Sequence, residues 1–242
     1  MIASAISSLH AQVDTRWPQH SMDRPRPPVV TPAPFVNEAH PSDAIVLFDG
    51  KSLANWESAD SAGHPARWKL AGGSMEVVPG TGSIQTKQAF GDVQLHVEWS
   101  PPTPVKGEGQ ERGNSGVFLM GRYELQVLDS YHNDTYPDGQ AGAIFGQFPP
   151  LANASRPPGE WQTYDVIFHR PRWDAGGKLL SPARFTVFQN GVLVQDNVAL
   201  SGPTAYQHRP PYAKHADALP LMLQNHGDAV RFRNIWVRKI EP

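Results

Sequence analysis

The chain has 242 residues, a formal net charge of −2, 39% hydrophobic residues and 18% charged ones. That is enough to build one large core, and it lacks the basic excess of a nucleic-acid binder. Cysteine is absent, which excludes disulfides, thiolate metal sites and a cysteine nucleophile. No apolar run is long enough for a membrane-spanning helix.

The first residues, MIASAISSLHAQ, resemble the end of a secretory signal with an Ala-Gln junction, without its positive n-region. A structureless tail is the alternative. Prolines 18, 25, 27, 28, 32, 34 and 41 then predict an extended segment through residue 43. The division expected is therefore an extension over 1–43 and one domain over 44–242.

The β pattern starts at Ala44–Phe48 and turns at Asp49-Gly50. Trp68–Val78 reads as a hairpin about Ala71-Gly72-Gly73. Val93–Ser100 alternates, with Val93, Leu95, Val97 and Trp99 on one face and Gln94, His96 and Glu98 on the other. This is the pattern of a half-buried strand. Val117–Met120 and Tyr123–Asp129 follow, separated by Gly121-Arg122, and then Gln162–His169. Arg184–Gln189 and Val192–Asp196 flank Asn190-Gly191, a strong hairpin signal because both turn positions favour positive φ. Leu219–His226 and Ala229–Ile240 close the chain. No helical periodicity competes. About ten strands predict an all-β, two-sheet antiparallel sandwich. Trp99 and Trp236 should be buried, and Trp173, in a loop, exposed.

Residues 130–160 form a long Gly/Pro-rich connection with Tyr131, His132, Tyr136, Phe145 and Phe148. Loops of this length in a compact domain are commonly functional.

In YELQVLDS (123–130), Glu124 and Gln126 share a face by alternation. Asp129 has the opposite parity and joins them only through a β-bulge near Leu128. Paired carboxylates would serve glycoside hydrolysis, whereas the plain alternative is a wet strand face. In LPLMLQNH (219–226), Gln224 and His226 form a second polar pair. His226 is a candidate for acid/base chemistry or, with Glu124, for holding a divalent cation. His132 and Asp134, with Glu124 and Asp129, make a weaker cation set. Arg112 and Asn114, in the Gly-containing turn 111–116, could donate to a substrate.

The blocks LFDGKSLANW (47–56), NSGVFL (114–119), YELQVLDS (123–130), AGAIFGQFPP (141–150), GEWQTYDVIF (159–168), NGVLVQD (190–196) and LQNHGDAVRFRNIWVR (223–238) resemble the 3-keto-disaccharide hydrolase family, over roughly 44–240. The resemblance implies a concanavalin A-like jelly roll, export to the periplasm or beyond in bacteria, and cleavage of glycosides bearing a ketone at C3. Strand 123–130 also resembles the ExDxxE strand of sandwich-fold glucanases, with Gln126 and Asp129 replacing two of its acids. Gln cannot ionise, so an ordinary two-carboxylate mechanism is in doubt.

A C3 ketone acidifies the C2 hydrogen, so a base can drive elimination across C1–C2 before water adds back. Glu124, His226, Asp129 and His132 are the expected catalytic residues. Arg112, Asn114, Gln126 and Gln224 are expected to bind substrate. The sequence identifies no cofactor with certainty, and a divalent metal at Glu124 and His226 is a candidate. The competing reading is a carbohydrate-binding module of the same fold. The sequence leaves the aglycone, anomeric preference and oligomeric state open.

Overall fold

The structure, a computed structural model, describes residues 13–36 and 39–240. The signal-like stretch 1–12 lies outside them. Among the described residues the regular elements are nearly all strands, in chain order β1 (Ile45–Phe48), β2 (Trp56–Ser58), β3 (Lys69–Ala71), β4 (Ser74–Glu76), β5 (Ile84–Phe90), β6 (Val93–Ser100), β7 (Ser115–Leu119) and β8 (Tyr123–Val127). Then come β9 (Gln162–His169), β10 (Arg172–Trp173), β11 (Leu179–Ser181), β12 (Arg184–Gln189), β13 (Val192–Ala199), β14 (Leu219–Leu223) and β15 (Arg231–Lys239).

The larger sheet runs β13-β12-β9-β6-β15-β4-β3, with β1 also paired to β15. The smaller runs β2-β5-β14-β7-β8, and β10-β11 form a separate ribbon. All of these pairings are antiparallel. The fold is thus the expected all-β sandwich. Its core lies between the sheets, where Val93, Leu95, Val97 and Trp99 of β6 meet Tyr123, Leu125 and Val127 of β8. Each such side chain contributes on the order of 1.5–3 kcal/mol by leaving water. Trp99 packs 5.4 Å from Tyr164, and Tyr123 lies 5.8 Å from Phe168.

Several boundaries follow the sequence closely. The Asn190-Gly191 turn has φ of 53° and 80°, as its residue types require. Other features depart from it. Strands β2, β5, β10 and β11 were not expected. β5 (IQTKQAF) carries mostly polar residues and is a strand because β2 and β14 pair with it on either side.

β6 is buried on both faces rather than half-buried. His96 and Glu98 are 5% and 1% exposed. Glu98 accepts from Arg233 Nε at 2.5 Å and Asn234 Nδ2 at 2.8 Å, so the polar face is satisfied without water. Arg233 in turn lies between Trp161, at 4.0 Å, and Phe35, at 5.4 Å. Trp99 and Trp236 are buried as expected. Trp173 is only half-exposed, because it packs edge-on against Tyr212 and His215.

The described part of the Pro-rich extension lies against the sandwich. Val29 bridges to Asn153, and Arg156 donates to the Ala33 carbonyl at 2.7 Å.

Candidate active site

β8 is the edge of the smaller sheet, and its outer edge is not left to solvent. Glu124 N donates to Thr204 Oγ1 at 3.0 Å. Gln126 N donates to the Ala143 carbonyl at 2.9 Å, while Phe145 N and Gly142 N donate to the Glu124 and Gln126 carbonyls. The long connection after β8 thus covers the sheet edge. From beneath, the Tyr164 hydroxyl of β9 donates to the Gln126 carbonyl at 2.7 Å and ties the two sheets together.

This framing fixes which side chains leave the core. Tyr123, Leu125 and Val127 point inward, so Glu124 and Gln126 project from the outer face of the smaller sheet. Phe118 of β7 pairs with Glu124, and Met222 of β14 pairs with Phe118. Just past β14, Gln224 N donates to the Gly116 carbonyl at 2.9 Å, placing Gln224 beside the Gly116–Gln126 pair.

Together these residues floor a cavity of about 260 Å³ lined by Asn114, Phe118, Glu124, Gln126, Gln224 and His226. Phe145, Thr204, Ala205 and Tyr206 supply its other side. Glu124 is 4% exposed, and burial alone pushes its carboxyl up to about 8. At neutral pH it is therefore a protonated acid, able to donate a hydrogen bond.

Gln126 Nε2 donates to Gln110 Oε1 and the Gly139 carbonyl, which holds its amide in place. Gln126 Oε1 and Gln224 Oε1 are both buried, and neither accepts a hydrogen bond from a described group. Two orphaned acceptors beside a neutral donor suit a polyhydroxylated ligand, because each sugar hydroxyl both donates and accepts. A larger cavity, about 420 Å³, lies at Arg26, Tyr131, His132 and Gln140, but it lacks an acid desolvated to this degree.

The structure brings Glu124, Gln126, Asn114, Gln224 and His226 together. It separates Arg112, Asp129 and His132 from that cavity. β7 and β8 pair in unbroken register from Ser115–Val127 to Leu119–Tyr123, so the bulge that would have turned Asp129 inward is absent from the pair. Past the strand, Asp129 N donates to the Arg112 carbonyl, and Asp129 Oδ2 accepts from Arg112 Nε at 2.7 Å. Arg112 is spent on that carboxylate and on the Tyr131 and His132 carbonyls. His132 is exposed and lines the other cavity.

The expected cation set is likewise dispersed. Among the described residues no group of three or more His, Cys, Asp or Glu gathers to share an ion. In the cavity itself the other lining residues beside Glu124 and His226 are amides, aromatic rings, a threonine and an alanine.

Sequence reasoning missed Phe118, Phe145 and the loop residues Thr204, Ala205 and Tyr206. Phe145 lies in the connection singled out for its length. Thr204–Tyr206 carry no local signal, since only the fold brings them to β8.

Residues 43–238 match the family model described as a 3-keto-alpha-glucoside-1,2-lyase-like domain. The chain belongs to this family. The crystal structure of a candidate glycosyl hydrolase from Parabacteroides distasonis ATCC 8503 is 48% identical, with a TM-score of 0.81, covering 89% of this chain and 93% of that one. A second structure of the same description from that organism, 17% identical with a TM-score of 0.60, covers 82% of this chain and 94% of its own and shares the fold. The 3-keto-disaccharide hydrolase of Bacteroides thetaiotaomicron is 23% identical over 243 residues, covering 81% of this chain and 78% of that protein. As a member of the 3-keto-glucoside lyase-like family, the chain carries its candidate chemistry on β7, β8 and the end of β14.

Proposed function

We propose that the protein cleaves the glycosidic bond of 3-keto-glycosides by elimination and rehydration, with His226 as base and Glu124 as a neutral acid. The desolvated Glu124 carboxyl carries this reading. It is held protonated at neutral pH at the floor of a cavity with two unpartnered amide acceptors. Simple sugar binding gains nothing from a carboxyl with so raised a proton affinity. An enolate oxygen, which develops negative charge, gains a strong hydrogen bond from one.

In this mechanism the C3 ketone oxygen accepts from Glu124. His226 removes the C2 proton, since imidazole is the side chain suited to proton transfer near neutrality. The C2–H electron pair becomes the enolate. Its collapse re-forms the ketone, creates the C1=C2 double bond and breaks the bond from C1 to the leaving oxygen. That oxygen takes the proton from His226. Water then adds with its hydroxyl at C1 and a proton at C2, so the sum is hydrolysis. Gln126, Gln224 and Asn114 orient the sugar hydroxyls. Export to the periplasm or beyond belongs to the same proposal, supported by the signal-like first residues.

The test uses 3-keto-glucosides with hydrogen or deuterium at C2, beside ordinary glucosides. Cleavage of the keto compounds alone, slowed by deuterium, is expected. Equal cleavage of ordinary glucosides, or loss of the leaving group with neither an isotope effect nor solvent exchange at C2, would overturn the mechanism.

A further inference from the structure

We infer that Tyr206, braced by His20 of the N-terminal segment, forms the subsite for the leaving group: a planar or pyranose ring stacked beside the polar floor. This inference rests on the proposed glycosidic cleavage and adds to it which residues read the aglycone.

The cavity is two-sided. Its floor is the amide and acid set of β7, β8 and the end of β14, and its other side is aromatic, with Phe145 and Tyr206. Tyr206 lines that side of the cavity and is 66% exposed. Exposed rings in such a place offer an apolar face for stacking while the hydroxyl stays wet.

The ring is not loose. The His20 ring lies 5.3 Å from Tyr206, 5.0 Å from Phe145 and 4.4 Å from Tyr136, nearly parallel to the last at 24°. Gln19 Nε2 donates to the Ala205 carbonyl at 3.1 Å, and His20 N donates to Asp138 Oδ2 at 3.1 Å. A Cβ on Gly146 would collide with the Gln19 side chain, so the segment is fitted closely to this loop. Arg209 closes the set by donating to the Gly146 carbonyl at 3.0 and 2.9 Å. The N-terminal segment is therefore built into the wall that holds Tyr206. His20 is a positioning residue, and Tyr206 is the contact.

The experiment compares phenyl and methyl 3-keto-glucosides, which share the keto sugar and differ in the leaving group. Tyr206→Ala should raise KM for the phenyl substrate by roughly threefold to tenfold more than for the methyl substrate. His20→Ala should move KM in the same direction, and His20→Phe, which keeps a ring in the stack, should restore it. Equal changes on both substrates, or no change on the phenyl one, would overturn the subsite. If the wild type cleaves neither compound, the proposed function fails on its own. The subsite is then read by saturation-transfer NMR with phenyl glucoside. Loss of the phenyl signal in folded Tyr206→Ala sustains it, and an undiminished signal overturns it.

Discussion

The carboxyl of Glu124 lies diagonally across the β7–β8 pair against Gly116, where an added Cβ would sit 2.6 Å from Glu124 Oε1 and 2.8 Å from Phe118 Cε2. A missing side chain on the neighbouring strand β7 thus makes room for the acid on the edge strand β8. Gly116 is needed here for its small size, since its backbone is not in the left-handed region.

Gly116→Ala should therefore separate chemistry from stability. Both obstructing groups are ends of side chains that can swing, so unfolding free energy should fall by about 1–3 kcal/mol. Displacing the acid by an ångström should cost on the order of a hundredfold in kcat. Urea unfolding beside kcat on a 3-keto-glucoside checks both. Unchanged kcat would detach Glu124 from the reaction.

Glu124→Gln should flatten a pH dependence of stability. Burial raises the folded carboxyl from 4.5 to about 8. The contribution is thus fully present below about pH 4.5 and is lost as pH rises through 8, because the unfolded chain releases this proton first. The slope in between is about 1.4 kcal/mol per pH unit for this one group. Urea titrations of wild type and variant should agree near pH 5, where both side chains are neutral, and separate as pH rises, the variant becoming the more stable by on the order of 4 kcal/mol at pH 8. The variant should also lose roughly a hundredfold or more in kcat.

The strands that place this acid were legible because they alternate. Val93–Ser100 and Gln162–His169 were read to the residue, and Glu124, Gln126, Gln224 and His226 were assigned their shared faces from parity alone. Parity also showed that Asp129 needed a bulge. What could not be read was how the outer side is assembled, since Phe145, Tyr206 and His20 meet only through long-range contacts. β5 was equally hidden, because its polar sequence becomes a strand only between two partners. The burial of Glu98 required Arg233, Asn234 and the Phe35 segment to be present together.

Asp129→Asn should behave as a structural substitution. Burial raises its carboxyl, against the lowering effect of Arg112, and the pair is largely enclosed, with side chains 2% and 15% exposed. Losing the charge partner of Arg112 should cost roughly 3 kcal/mol in unfolding free energy. Per folded molecule, kcat should stay within about twofold, with an unaltered pH profile. A shifted pH–rate profile would return Asp129 to the reaction.

On the opposite sheet, His96 gives stability a dependence that Asp165 controls. Burial opposes charge on the ring, but Asp165 Oδ1, 2.7 Å from His96 Nδ1, and Glu98 outweigh it and push the imidazole up to about 9. The ring also stacks on Trp236 at 5.2 Å, which fixes its plane between the two acids. A raised histidine contributes fully below about pH 6.5 and loses that contribution as pH rises through about 9. Asp165→Asn removes the nearer acid and brings the folded value back toward the unfolded one. The variant should therefore be less stable than wild type at pH 6, by about 1.4 kcal/mol for each unit of lost elevation. The gap should shrink steadily and close above pH 9. Urea unfolding at pH 6, 7.5 and 9.5 measures it, and a gap that stays constant across that range would mean that His96 is neutral in the folded protein.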